Sequence, residues 1–386
     1  MHDDTDLTRR QYLTYGSAVG ASSLLAGCAG GDGTATPTDT ETGTDEPTET
    51  SDPETATSTP SSYTASMAPV GEVEFDSVPT DVMVYSLIYA DMAVAYGHGD
   101  AVNSLGFSAE AGGNTLDAYY ERLPDVSFDR EGIEQLNTGG SGVTIDKELV
   151  YELNSDLHLV DPCLVASFDG WDESDMSEIR ENVAPWFGNT LSRRNSEPPA
   201  SCAGEYEYYT LWEIAERTAD VFRAGSTYEE LASVHADLLA TIEADLPPES
   251  ERPTVASVIF MDGTFYPSKI ETAGFSNAHV RPLGADDAFS GDDVSYESSY
   301  DYETLLEIDP DVILHRYGID SYYDVGSIRE TISEDPVGGE LTAIENGRLY
   351  AGGHPVQGPL MNLFQLEMTA KQLYPEQFGE WPGYEH

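Results

Sequence analysis

The sequence predicts an α/β protein of two lobes joined by a single long helix, with a ligand cleft between the lobes. Three observations carry this. A short helix-into-strand unit occurs twice, as "DKELVYELNSDLHLVDPC" at 146–163 and "DYETLLEIDPDVILHRYG" at 301–318. Asp146, Glu148, Glu152, Asp156 and Leu159 match Asp301, Glu303, Glu307, Asp311 and Leu314 at a constant offset of 155 residues. Between the copies lies one long amphipathic segment, "TYEELASVHADLLATIEADLPP" at 227–248. On either side of it strand-like and helix-like runs alternate, which argues for parallel sheets covered by helices.

The N-terminus reads as an address. Arg9 and Arg10 precede a weakly apolar run over 12–26, too short and too rich in Gly and Ser for a spanning helix of ~20 apolar residues. A secretory signal of the twin-arginine kind fits. The run ends in Leu25-Ala26-Gly27-Cys28, a lipobox in which Cys28 is the lipidation site. Residues 1–28 are therefore read as a lipoprotein signal. Residues 29–68 are Thr, Asp, Glu, Pro, Ser and Gly with almost no large apolar side chain, so they cannot bury enough surface to offset ordering entropy. They read as an acidic, disordered tether.

The first lobe is expected over 69–226. Residues 82–88, "VMVYSLI", read as a buried strand, followed by a helix and a second strand near 102–107. Asp146 is a plausible N-cap for a helix over 146–152, and residues 157–160 read as the next strand. The connecting helix is expected over 227–246. Thr227 with Glu230 has the spacing of a capping box, and Leu231, Val234, Leu238, Leu239 and Ile242 share one face. Pro247-Pro248 stop it after ~27 Å. The second lobe, 247–386, opens with a strand over 254–262. "YPSKIETAG" suggests a helix start and "AHVRPLG" a further strand. The second unit follows, then a strand in "GRLYAGG", then a closing amphipathic helix with Leu360, Leu363, Phe364 and Met368 on one face.

Charge limits the partners. The chain has 386 residues with 71 Asp plus Glu against 17 Lys plus Arg, a net of −54. No basic patch exists to neutralise phosphates, so nucleic acid is excluded as a partner. Such self-repulsion destabilises a compact state. Salt screens it, with a Debye length of ~3 Å at 1 M. The composition therefore fits a halophilic, high-salt setting. Cys163 and Cys202 remain after Cys28. Outside the cell either a disulfide or two separate buried thiols is permitted, and sequence alone does not bring their Cα atoms within bonding range.

The body, about residues 70–380, resembles the substrate-binding proteins of ABC importers for iron-siderophores and vitamin B12. "DYETLLEIDPDVIL" is the strongest part, with "NGRLYAGG" and "AKQLYPEQF" near the C-terminus; the first copy departs, with Asn154-Ser155-Asp156 where a Pro-containing turn stands in the second. The resemblance implies two Rossmann-like lobes, no catalysis, and a membrane-anchored, extracytoplasmic monomer. It implies a small metal-chelate ligand rather than a resident cofactor or a bare metal site. It also implies that Glu148 and Glu303 dock on the two subunits of an ABC permease.

Ligands of open α/β sheets sit beyond the carboxyl ends of strands. In the first lobe this selects Tyr85, Ser86 and Tyr89, then Phe168, Asp169 and Trp171. In the second it selects Asp262, Phe265 and Tyr266, then His315, Arg316 and Tyr317, then His354 and Gln357. Aromatic rings with a few polar groups suit a ferric siderophore. Cobalamin, haem or a bare metal held by His315, His354 and an acid are rivals. An exported metal-dependent hydrolase or an adhesive surface protein are rivals of other classes. Neither a G-x-S-x-G elbow nor a G-x-x-x-x-G-K-S/T loop occurs.

Overall fold

The computed structural model describes residues 62–108, 115–124, 126–137, 144–193, 197–295, 297–319 and 322–383. The expected signal with Cys28, and the tether up to residue 61, lie outside the described residues. The tether expected to reach residue 68 ends sooner, because a strand begins at Tyr63. Tyr63–Met67 is the first strand, β1, and pairs antiparallel with β2, Gly71–Phe75. Ala65 and Met67 of β1 alternate inward.

The first lobe is built on short parallel pairs. β3 (Val82–Val84) stops earlier than expected, because Ser86 turns the chain and α1 (Leu87–Ala95) begins at once. β4 (Ser104–Leu105) joins β3 through Asn103 N to Val82 O (3.0 Å) and Gly106 N to Tyr85 O (2.9 Å). A short helix, α2 (Thr115–Tyr120), follows, and β5 (Glu134–Gln135) runs parallel to β4. Then come α3 (Lys147–Leu153), β6 (Leu157–Leu159) parallel to β3, α4 (Pro162–Val165), α5 (Glu173–Asn182) and α6 (Leu211–Phe222).

The connecting helix, α7, spans Gly225–Asp245. The expected capping box does not form: the N-cap is Ala224 and Thr227 lies inside the first turn. The reason is that α6 ends on Arg223 in the left-handed region (φ 53°), so the chain re-enters a helix immediately after a sharp corner. Capping boxes do form at Asp172–Asp175 on α5 and Thr210–Glu213 on α6.

In the second lobe β7 (Thr254–Met261) is central. "YPS" is not a helix start. Asp262 and Gly263, both at positive φ (50° and 76°), make a two-residue turn, and Thr264–Ser268 returns antiparallel as β8. Nor is "AHVRPLG" a strand. Arg281–Leu283 is a 3₁₀ turn, with the Arg281 guanidinium donating to Thr272 O (2.8 Å) and Gly274 O (2.9 Å). β9 (Asp286–Asp287) follows, then α8 (Tyr302–Ile308) and β10 (Val312–His315). Next come α9 (Val325–Glu334), α10 (Thr342–Glu345), β11 (Leu349–Ala351), α11 (Pro359–Leu373) and α12 (Pro375–Phe378). The sheet order is β11-β10-β7-β8, with β9 also on β7.

The two copies of the repeat do the same work. Asp146 and Asp301 cap α3 and α8, with Oδ1 accepting from Glu148 N (2.9 Å) and Thr304 N (2.8 Å). Asn154 and Asp309 end the helices at φ 45° and 47°. Asp156 Oδ2 accepts from Thr80 N (3.0 Å), and Asp311 Oδ2 from Thr254 N (2.8 Å). Each carboxylate thus ties its turn to the start of the neighbouring strand. Leu157 then pairs with Val82, and Val312 with Val255.

The closing helix is not amphipathic. Every residue of α11 except Lys371 is buried, because it lies against α1 of the first lobe rather than on the outside of the second. One core cluster therefore runs through both lobes and α7. Its polar key is Asp91 of α1, which accepts from Leu360 N (2.9 Å) and Met361 N (3.3 Å) at the start of α11 and from Tyr120 OH (2.7 Å). A Cβ on Gly358 would collide with this carboxylate.

Candidate functional site

The loops after β3, β10 and β11 meet a loop of the first lobe that carries no strand-end signal in the sequence. That loop ends in the 3₁₀ turn Leu191–Arg193. Ser276 Oγ of the second lobe donates to Arg193 O (2.9 Å). Arg193 stands close enough to Arg316, His354 and Tyr85 for its charge to act on all three. Among the described residues neither Arg193 nor Arg316 makes an ion pair. Arg193 Nε is buried and has no hydrogen-bond partner. Burial pulls the Arg316 guanidinium below its ordinary value, and the like charge of Arg193 pulls the same way.

Local structure sets Arg316 and Tyr317 firmly. Arg316 N donates to Val258 O (2.8 Å), which continues β10 beside β7. Tyr317 then takes φ 61°, a conformation costly for a residue with a Cβ, and its ring meets His354 edge-on at 4.7 Å. Gly318 has to be glycine, since a Cβ there would stand 2.7 Å from Ala351 Cα. His354 is buried, and its Nδ1 lies 3.0 Å from both Val356 N and Val356 O, so either tautomer has a backbone partner there. Burial holds its pKa at about 3, so the ring is neutral. On the other lip Tyr85 packs between Phe107 (6.0 Å) and Phe168 (5.5 Å), and its buried hydroxyl has no partner among the described residues. Ser86, the N-cap of α1, is partly exposed beside it and makes no capping bond.

Five of the expected ligand contacts are framework instead. Tyr89 is wholly inside α1 and its hydroxyl accepts from Asn189 N (2.5 Å). Trp171 packs in the first lobe's outer core, donating Nε1–H to Ile145 O (2.8 Å). Phe265 is fully buried against Phe260 and Tyr302. Gln357 is fully buried, with Nε2 donating to Phe275 O (3.0 Å) and Oε1 accepting from Asn362 and Gln365. His315 is fully buried with Nε2 accepting from Phe260 N (3.0 Å), and burial lowers its pKa to about 4. Tyr266 stands exposed on the edge strand β8. Side chains alternate along a strand and circle a helix, so a residue near a strand end has roughly even odds of facing inward. Arg193 was legible only through the scarcity of cations.

Outside the cleft, Glu148 and Glu303 are both exposed in the first turns of α3 and α8. Cys163 and Cys202 are joined in a disulfide with Cα atoms 6.0 Å apart. No group of three or more His, Cys, Asp or Glu with metal-holding geometry occurs among the described residues.

No protein-family model matches the sequence, and no curated protein matches it. Solved structures do. A periplasmic binding protein from Veillonella parvula superposes with a TM-score of 0.57 at 16% identity, covering 81% of this chain and 97% of that one. The chain has the periplasmic-binding-protein fold. The iron uptake ABC transporter substrate-binding protein PiuA from Streptococcus pneumoniae gives 0.56 at 15% identity, covering 80% and 97%. CeuE from Helicobacter pylori with Ni(II) bound gives 0.55 at 14%, covering 82% and 90%. Arg193, Arg316, Tyr317 and His354 come together where Ser276 of the second lobe bonds to Arg193 of the first.

Proposed function

We propose that this protein is the extracytoplasmic receptor of an ABC importer and that its cleft captures an anionic metal chelate, a ferric siderophore foremost. One observation carries the reading. In a chain with 71 acids and 17 Lys plus Arg, two arginines, one per lobe, converge on the cleft with no ion pair to a carboxylate among the described residues. Leaving cations unpaired where acids are abundant is costly unless an anion completes the site. The aromatic lip of Tyr85, Phe107 and Phe168 gives such a ligand an apolar wall. The neighbours named above for iron uptake and for bound Ni(II) lend the metal its place in this reading. The receptor binds its cargo without turning it over. Twin-arginine export, lipidation at Cys28 and the acidic tether hold it at the outer face of the membrane.

Titration of the full chain with ferric tris-catecholate, a trianion, at molar salt tests this. Arg316→Ala and Arg193→Ala each remove a charged donor worth about 1.5–3 kcal/mol, so each weakens binding by about 10- to 100-fold. Unchanged affinity in both variants overturns the anion site. Docking is tested separately. Charge reversal of Glu148→Arg with Glu303→Arg abolishes uptake while affinity stays at the wild-type value. Normal uptake by that variant removes these two acids from the permease contact.

A further inference from the structure

We propose that Asp161 and Tyr206 are positioning residues for ligand capture, which aim Arg193 into the cleft through the polar core of the 188–209 loop. This rests on the reading of Arg193 as a ligand cation. Asp161 follows β6 and is fully buried. Its Oδ1 accepts from Cys163 N (2.9 Å) and Leu164 N (3.3 Å), capping α4. Its Oδ2 accepts from Thr190 N (2.7 Å), Leu191 N (3.0 Å) and Tyr206 OH (2.6 Å). Leu191 N also reaches Tyr206 OH at 2.9 Å. One carboxylate therefore fixes the backbone two and three residues before Arg193 to the end of the central sheet.

The remaining residues before Arg193 are held as tightly. Asn189 donates through Nδ2 to Ala68 O (2.7 Å) and Glu207 O (2.8 Å). Ser192 Oγ donates to Asn189 Oδ1 and accepts from Tyr209 N (2.9 Å). A Cβ on Gly188 would stand 2.6 Å from Asp161 N, so the loop enters in contact with the β6 end. The Cys163–Cys202 bridge closes the far side, four residues before Tyr206.

A buried carboxylate with this many donors is an expensive way to fill a core, since apolar residues of the same volume pack without desolvating a charge. What it accomplishes that they would not is directional. Every partner of Oδ2 is either a backbone N–H of the turn that ends in Arg193 or the hydroxyl that braces that turn. Among the described residues the Arg193 side chain makes no ion pair that would aim it. Orientation comes from the backbone, and the backbone is set by Asp161 and Tyr206.

A double-mutant cycle on the full chain, read by affinity for ferric tris-catecholate at molar salt, tests the link. Tyr206→Phe keeps the ring and removes only the hydroxyl. The expected result is a loss of about tenfold in the wild-type background and less than about twofold in the Arg193→Ala background. The same loss in both backgrounds, or none in either, overturns the positioning role alone. If Arg193→Ala by itself leaves affinity unchanged, both this proposal and the reading of Arg193 as a ligand cation fall. Should Tyr206→Phe not fold, Asp161→Asn, which replaces the charged acceptor of Thr190 N and Leu191 N, takes its place in the cycle with the same outcomes.

Discussion

Asp91 joins the lobes at the scale of a single residue. A fully buried carboxylate is held by two backbone N–H groups of α11 and by Tyr120 OH. Desolvation dominates and pushes its pKa up to about 7, against about 3.9 for an unfolded Asp. Tyr96 and Tyr120, its titratable neighbours, are themselves raised by burial and stay neutral. Between about pH 4 and 7 the folded state therefore keeps a proton that the unfolded chain has released. The contribution of Asp91 to stability falls across that window and is constant above it. Asp91→Asn retains an acceptor for α11 and cannot titrate. Urea melts at fixed molar salt should show wild-type stability declining relative to the variant from pH 4.5 to 7, then running parallel. A difference independent of pH would mean that Asp91 titrates as an ordinary carboxylate.

At the scale of elements, the repeat was legible because its parts are local. N-cap, helix, left-handed stop and strand lie within eighteen residues, and each is specified by its own side chain, as Asp301, Asp309 and Asp311 show. What failed was specified from a distance or misweighed. The Asp262-Gly263 turn is a local hairpin signal, and "YPSK" beyond it carries a competing helix-start signal that the β7–β8 pairing overrides. The start of α7 depends on where α6 ends, which no residue of Thr227–Glu230 reports. The all-round burial of α11 depends on α1, more than 260 residues away, so its apolar face looked like one side of a surface helix. The site shows the same division. Arg316, Tyr317 and His354 follow strands whose ends were readable. Arg193 enters the cleft on a loop whose path is fixed by Asp161 and Tyr206, and no periodicity marks it. The strand-end rule also admitted Phe265 and Gln357, which face the core.

At the scale of the whole molecule, the same charge imbalance acts in two opposite ways. Cations do little to neutralise the surface. The guanidinium groups of Arg252, Arg281, Arg329 and Arg348 bond to backbone carbonyl oxygens, and Arg193 and Arg316 make no ion pair among the described residues. Most of the net −54 is therefore left to the solvent ions. Lowering salt from 1 M to 0.1 M lengthens the Debye length from about 3 Å to about 10 Å, so surface acids act on one another over a longer range. Self-repulsion then opposes the compact state. Thermal unfolding of the unliganded chain should accordingly move to lower temperature as salt is reduced. Capture of ferric tris-catecholate depends instead on attraction between an anion and two arginines, which salt weakens, though less for a partly buried pair than for an exposed one. Affinity measured at salt concentrations where the protein is still folded should thus rise as salt falls, while the melting temperature drops. Arg193→Ala with Arg316→Ala should flatten the affinity dependence and leave the melting dependence in place. A melting temperature that does not respond to salt would assign the acids to a role other than solvation in brine. An affinity slope that survives loss of both arginines would place the anion elsewhere than the cleft.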